Sequence, residues 1–197
     1  MNRTISIMVG KGSVNHNSRK FHAKNTDPER SYLNVEYCNE NLQLVYHQLF
    51  DEAKQRYNAK QKRADRMIPD YYEKIRSGKQ EKLFHEVIVQ IGNREDMNAQ
   101  SENGALAAQV LDEYMREFQK RNPNLRVFSA HLHMDEATPH LHIDFVPFTT
   151  GSKRGMDPRV SLKKALAAQG YTDGSRGDTE WNQWVAAEKN ALAVVME

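Results

Sequence analysis

Four of the eight histidines fall within twelve consecutive residues, in His131-Leu132-His133-Met134-Asp135-Glu136-Ala137-Thr138-Pro139-His140-Leu141-His142. Imidazoles gathered this way either bind a metal ion or sit idle on a polar surface, and their alternation decides what they can reach. Side chains along a strand alternate faces, so His140, His142 and Asp144 point one way and Leu141, Ile143 and Phe145 the other. In the preceding segment Ser129, His131 and His133 share a side opposite Ala130 and Leu132. Met134 to Pro139 is the length of a hairpin connection. The register that sets His133 across from His140 also sets His131 across from His142, with facing Cβ atoms about 4.5–5.5 Å apart. His133, His140 and His142 can then converge on one cation, leaving positions open to water or substrate. His131 is spare, and packing or support is as good a reading for it. The bland alternative is a set of surface histidines or a structural zinc clip. Cys38 is the single cysteine, so no disulfide and no multi-cysteine site forms within the chain, and any metal is held by nitrogen and oxygen.

The elements that must carry this hairpin follow from periodicity. Ile5–Val9 reads as an apolar strand, Tyr32–Tyr37 as a second, Phe84–Gly92 as a third, and Leu125–His133 and His140–Pro147 as two more. Asn39 to about Lys74 has helical spacing at Leu42, Val45, Leu49 and Ala53, with a break expected at Pro69. Ala99–Arg121 carries Leu106, Val110, Tyr114 and Phe118 on one face and stops at Asn122-Pro123-Asn124. Asp157–Gln169 and Asp178–Val195 close the chain as helices. Strands and helices in this order predict an α+β fold, a central antiparallel β-sheet with flanking helices covering the face opposite the histidines.

The chain has 197 residues, enough for one domain with a full core, and 39% of them are apolar against 27% charged. Nothing approaches the roughly 20 apolar residues of a membrane span, and no secretory segment opens the chain, so a cytoplasmic location is expected. Twenty-eight Lys and Arg against 26 Asp and Glu leave a net charge of only +2, so overall charge argues for no particular partner. The basic residues are clustered, in Lys54–Arg66 and in the segment from Lys11 to Arg30.

The run from His133 to His142 resembles the HxDExTPHxH signature of the MobV (Pre/Mob) relaxases, plasmid mobilisation proteins among the HUH endonucleases, with His140-Leu141-His142 as the HUH element. Val146-Pro147-Phe148 resembles the family's continuation. His16-Asn17-Ser18-Arg19 resembles its HNxR element, and Asp27-Pro28-Glu29-Arg30-Ser31-Tyr32-Leu33-Asn34 its NPxRSxLN stretch. The basic helical insertion, about residues 39–82, matches no motif, and the Arg19–Asp27 connection is a few residues short. The resemblance implies an HUH relaxase-type fold over residues 1–197, forming the N-terminal part of a longer protein whose further region would bind other mobilisation proteins.

Relaxases of this kind nick one DNA strand at an origin of transfer by transesterification, keeping the 5′ phosphate on the enzyme. The resemblance therefore implies His133, His140 and His142 as ligands of a divalent metal, Mn²⁺ or Mg²⁺, and His16 as nucleophile. It implies Glu136 as the carboxylate that orients or deprotonates His16, and Arg19 as a catalytic or phosphate-holding group. Neutral imidazole is nucleophilic near pH 7, with a reference pKa of about 6.5, whereas tyrosine needs activation. DNA contacts are expected from Arg19, Arg30, Ser31, Asn34, Lys153 and Arg154. Asp135 is expected to support an imidazole N–H. His22, Tyr32 and Tyr37 are rival nucleophiles. Competing functions are a rolling-circle replication initiator with a tyrosine nucleophile, a repressor whose metal only stabilises the hairpin, and a zinc hydrolase of small molecules.

Overall fold

The computed structural model describes residues 3–197. Its order is β1 (Ile5–Val9), α1 (Val14–Asn17), a 3-10 turn (Pro28–Leu33), β2 (Val35–Asn39), α2 (Leu42–Ala59), a 3-10 turn (Ala64–Arg66), α3 (Tyr71–Ser77), β3 (His85–Ile91), α4 (Glu102–Arg116), α5 (Phe118–Arg121), β4 (Leu125–His133), β5 (His140–Thr149), β6 (Arg159–Val160), α6 (Leu162–Ala168) and α7 (Glu180–Val195). Five strands form an antiparallel sheet ordered β1-β3-β5-β4-β2, and β6 pairs with the end of β5. The histidine hairpin is thus central, which is where a strand apolar on one face is best covered.

The expected hairpin register holds: His133 faces His140 and His131 faces His142. Leu141, Ile143 and Phe145 turn to the opposite face, where they pack with Val87, Val89, Ala130 and Leu132 under Leu111 and Tyr114 of α4 and Trp184 and Leu192 of α7. At about 1.5–3 kcal/mol for each large apolar side chain withdrawn from water, this layer supplies much of the driving force for folding.

The histidine face is not left bare of helices, contrary to expectation. A register shift between Val127 and Ser129 puts Phe128 beside Val146, and both pack under Val45, Tyr46, Phe50 and Ala53 of α2 and Tyr71 of α3. The insertion is therefore a roof over half of this face. Its stem also ends earlier than Pro69: Asn58 pairs its side chain with both the N–H and the carbonyl of Ile68 at 2.8 Å, folding the chain back.

Three boundaries differ for local reasons. Strand β2 begins at Val35 because Asp27 accepts from the N–H of Glu29 and Pro28 takes the first turn, so Tyr32 lies in a 3-10 turn and is 81% exposed. The helix expected over Ala99–Arg121 starts at its Ser101 cap and divides at Glu117. The segment from Asp157 first pairs as β6, and helix α6 starts only where Ser161 accepts from the N–H of Lys164.

Candidate metal and nucleophile site

Three rings meet above the middle of the sheet. The centroids of His133 and His142 are 4.7 Å apart, those of His140 and His142 5.0 Å, and those of His133 and His140 5.3 Å. Each ring donates one nitrogen to a group that can only accept. His133 Nε2 donates to the carbonyl of Asn17 at 2.8 Å, His140 Nδ1 to the carbonyl of Thr138 at 2.8 Å, and His142 Nδ1 to the Glu86 carboxylate at 2.6 Å. In the neutral rings, His133 Nδ1, His140 Nε2 and His142 Nε2 then carry lone pairs. Two of these, His133 Nδ1 and His142 Nε2, are buried with no hydrogen-bond partner among the described residues. Burial, reinforced by the neighbouring His142, pushes His133 down to about 2, and burial likewise lowers His140.

Buried, unprotonated and unpartnered nitrogens are the donor set a divalent cation takes, so the residues fit a metal. Potential ligand atoms of His16, His133 and His142 lie within 4.8 Å of one another, and so do those of His133, Glu136 and His140. The two groups share His133. Glu136 therefore offers an oxygen beside the expected histidines, and His16 stands at the same centre. His131 stays outside: its Nδ1 is 3.8 Å from Glu36, and burial lowers it to about 4.

His16 is brought over the histidines by α1, its ring centroid 6.0 Å from those of both His133 and His142. The next residue fastens that helix. Asn17 accepts from His133 through its carbonyl, while its amide donates to Glu86 at 2.8 Å and to Asp144 at 3.1 Å. Glu86 also accepts from the N–H of Gly12 at 2.5 Å, and a Cβ on Gly10 would fall 2.1 Å from its carboxylate oxygen, so glycine is required there. Burial opposes the charge on Glu86, but these donors hold it below the usual carboxylate range. Asp144, buried beside that charge, is pushed up to about 7.

Arg19 is anchored on the hairpin turn beside His16. It adopts φ 53°, a left-handed conformation costing a non-glycine residue about 1 kcal/mol, and its guanidinium repays this with a dense set of contacts. It donates to Asp135 at 2.5 and 2.9 Å, to Glu136 at 2.8 Å and to His16 Nε2 at 3.2 Å. Arginine can only donate, so His16 Nε2 bears a lone pair. Burial first, then the Arg19 charge, lowers the His16 pKa. Glu136 is 3.5 Å from the same nitrogen and accepts from Asn25 through its other oxygen at 2.7 Å.

Asp135 supports no imidazole. It is fully buried, and although burial opposes ionisation, donors from Arg19, Ser31 Oγ at 2.7 Å and Asn34 Nδ2 at 2.8 Å hold it well below the carboxylate range. Arg30 donates to Asp27 at 2.8 Å and to the carbonyl of Met134 at 2.7 Å. Arg30, Ser31 and Asn34, expected to meet DNA, thus have these donors engaged by Asp27 and the hairpin turn. Lys153 and Arg154 are exposed in the loop beyond β5. His22 is exposed, and the Tyr37 hydroxyl donates to Asp112 of α4 at 2.8 Å. Sequence reasoning missed Glu86 and Asn17 as supports; the signal for Glu86 was a single carboxylate beside the apolar run Val87-Ile88-Val89 of β3.

No helix among the described residues is long and apolar enough to cross a membrane. No curated protein matches the chain. Among solved structures, the chain is similar to the MobM relaxase domain (MOBV; Mob_Pre), manganese-bound and in complex with 22-nucleotide oriT DNA of plasmid pMV158. In one such structure the identity is 21%, covering 86% of this chain and 77% of that one, with a TM-score of 0.46. In another the identity is 22%, covering 81% and 75%, with a TM-score of 0.48. The profile of the plasmid recombination enzymes, Mob_Pre, matches residues 36–173, which include β3, the whole histidine hairpin and the roof helices, and the chain belongs to that family.

Proposed function

We propose that this protein is a relaxase that nicks one strand of origin-of-transfer DNA with a divalent metal, Mn²⁺ or Mg²⁺, and keeps the 5′ phosphate on His16. The observation that carries the reading is the set of three buried imidazoles, each donating one N–H to an acceptor, with their other nitrogens in two potential ligand groups that share His133, one completed by His16 and His142 and the other by Glu136 and His140. A packing role would not leave two of those nitrogens unpartnered, since each buried orphan costs about 1–3 kcal/mol.

His133, His140 and His142, with Glu136 within reach, would hold the cation. When bound it supplies Lewis-acid stabilisation of the charge that builds on the phosphate oxygens. His16 Nε2 attacks phosphorus with its lone pair, a P–N bond forms, and the P–O3′ bond breaks. The 3′ oxygen leaves with its electron pair and takes up a proton, giving a free 3′ hydroxyl. Arg19 keeps Nε2 unprotonated and ties His16 to the hairpin through Asp135 and Glu136. Asn17 and Glu86 set the height of α1 over the rings. The resulting phosphohistidine can return the strand to a 3′ hydroxyl by the reverse reaction, as strand transfer in mobilisation requires. The enzyme would act in the cytoplasm as a single relaxase unit, with Lys153 and Arg154 on the DNA backbone.

The test is incubation with labelled single-stranded oligonucleotides tiling the transfer origin of the element that encodes the protein, with Mn²⁺ or with EDTA. The expected result is a nicked product and a protein–DNA adduct mapping to His16, both absent in EDTA and in His16→Ala. An adduct mapping to His22 or to a tyrosine overturns the nucleophile; a mobility shift without cleavage overturns the enzyme.

A further inference from the structure

Two neighbouring cavities lie away from the histidines. Strand β5 starts at His140 and ends at Thr149, so at about 3.3 Å per residue its far end is roughly 30 Å from the site. There Lys153, Arg154, Arg159 and Lys164 surround the hydroxyls of Thr149 and Thr150 in an open cavity of about 480 Å³ with no carboxylate in its lining. None of the four cations pairs with a carboxylate among the described residues, whereas the adjacent Lys163 reaches Glu180 at 3.5 Å.

Arg159 also lines a neighbouring cavity of about 650 Å³, whose apolar surface comes from Tyr57, Ile68, Tyr71 and Met156, with Lys74, Lys79 and one carboxylate, Glu81, in the lining. The Arg159 Nε is buried with no partner among the described residues. The walls are tied together: Arg56 of α2 donates to the carbonyl of Asp157 at 2.9 Å, and the Tyr71 hydroxyl accepts from the N–H of Val160 at 3.0 Å. A cationic, hydroxyl-lined cavity suits phosphodiester oxygens, and an apolar, aromatic one suits a base. A purely phosphate ligand would make no use of the second cavity, and an apolar ligand would make no use of the four unpaired cations.

We propose that the two cavities joined at Arg159 form a second DNA site that grips single-stranded DNA, phosphates among Lys153, Arg154, Arg159 and Lys164 and a base against Tyr57 and Met156. This rests on the DNA reading above and gives the helical insertion a task besides roofing the sheet.

The experiment is fluorescence anisotropy on the whole chain in EDTA, with fluorescein-labelled dT8, an abasic oligonucleotide of the same length, and an 8-base-pair duplex. Wild type should bind dT8 about tenfold more tightly than the abasic strand. Arg159→Gln should weaken dT8 about tenfold and reduce the slope of log K against log salt by about 0.7, the loss of one phosphate contact; exposed Lys164→Gln should reduce it likewise. Tyr57→Ala should weaken dT8 without changing abasic binding, with its urea midpoint recorded to confirm folding. Equal binding of dT8 and abasic strand, preference for the duplex, or wild-type binding by both Arg159→Gln and Lys164→Gln overturns the proposal. Nicking separates the two readings: metal-dependent nicking with unchanged dT8 binding in the variants removes the second site alone, whereas a wild type that nicks no DNA removes the relaxase.

Discussion

One face of one strand pair carries two surfaces of opposite character. Along β5, His140, His142 and Asp144 occupy the half covered by α1 and the loop after it, while Val146 of the other half is covered by α2 and α3. Both halves are buried. The apolar half is filled, with Phe50 and Val146 fully enclosed and aromatic rings such as Tyr46 and Phe50 packed at 5.3 Å. The polar half encloses nitrogens and an Asp144 oxygen that have no partner. Burial stabilises the first and strains the second, so the fold is secured by one half and retains the other for chemistry.

The largest loss is expected on the apolar side. Phe50→Ala should lose about 3–5 kcal/mol of stability in urea unfolding, because a ring in a filled layer leaves a cavity. Next comes Glu86→Gln, which keeps the shape but removes the carboxylate that fixes the His142 tautomer; Mn²⁺ affinity should fall about 10- to 100-fold in calorimetric titration while the urea midpoint moves little.

Acidification acts on both faces of the sheet, on His131 and His133 of the polar half and on His85, which stacks on Phe145 of the opposite face. The metal-free chain has His85 and His131 lowered to about 4 and His133 to about 2, so between pH 6.5 and 4 the unfolded chain binds about three more protons at these sites. Asp144, raised to about 7, is protonated in the fold and ionised when unfolded, which offsets about one of them. The net uptake of about two protons on unfolding, to which the lowered His16 and His140 add, means stability falls as pH falls below 6.5; a loss of at least about 2 kcal/mol from pH 7 to 5.5 is expected in urea titrations, and saturating Mn²⁺ should raise stability at both pH values without reducing that loss. The smallest effect is that of His133→Leu on the metal-free protein. Losing the Asn17 bond is offset by removing an orphan nitrogen, so stability should change by no more than about 1 kcal/mol, while the thermal stabilisation by Mn²⁺ disappears.

Much of this was legible in the residues. The hairpin register follows from period-two alternation on both strands and from the Thr138-Pro139 turn, and the ligand rings follow from the register. The partners of each ring were not legible, because Glu86 lies 56 residues from His142 and Asn17 lies 116 from His133, joined only by the strand order β3-β5-β4. Ser31 and Asn34 show a second limit: donors that suit a phosphate equally suit a buried carboxylate, and their bonds to Asp135 depend on a contact across about 100 residues of chain. The roof was hidden for a third reason. The basic residues of Lys54–Arg66 are conspicuous in sequence, yet Val45, Tyr46, Phe50 and Ala53 on the buried side of α2 determine where the insertion lies.

The central claim, that the polar half of the sheet face holds one divalent cation, is tested most directly by titrating the metal-free protein with Mn²⁺ in a calorimeter. One equivalent should bind to wild type and equally to His22→Ala, and no heat of binding should remain in His142→Ala with its fold intact. Binding of Mn²⁺ by His142→Ala with wild-type affinity would contradict the account.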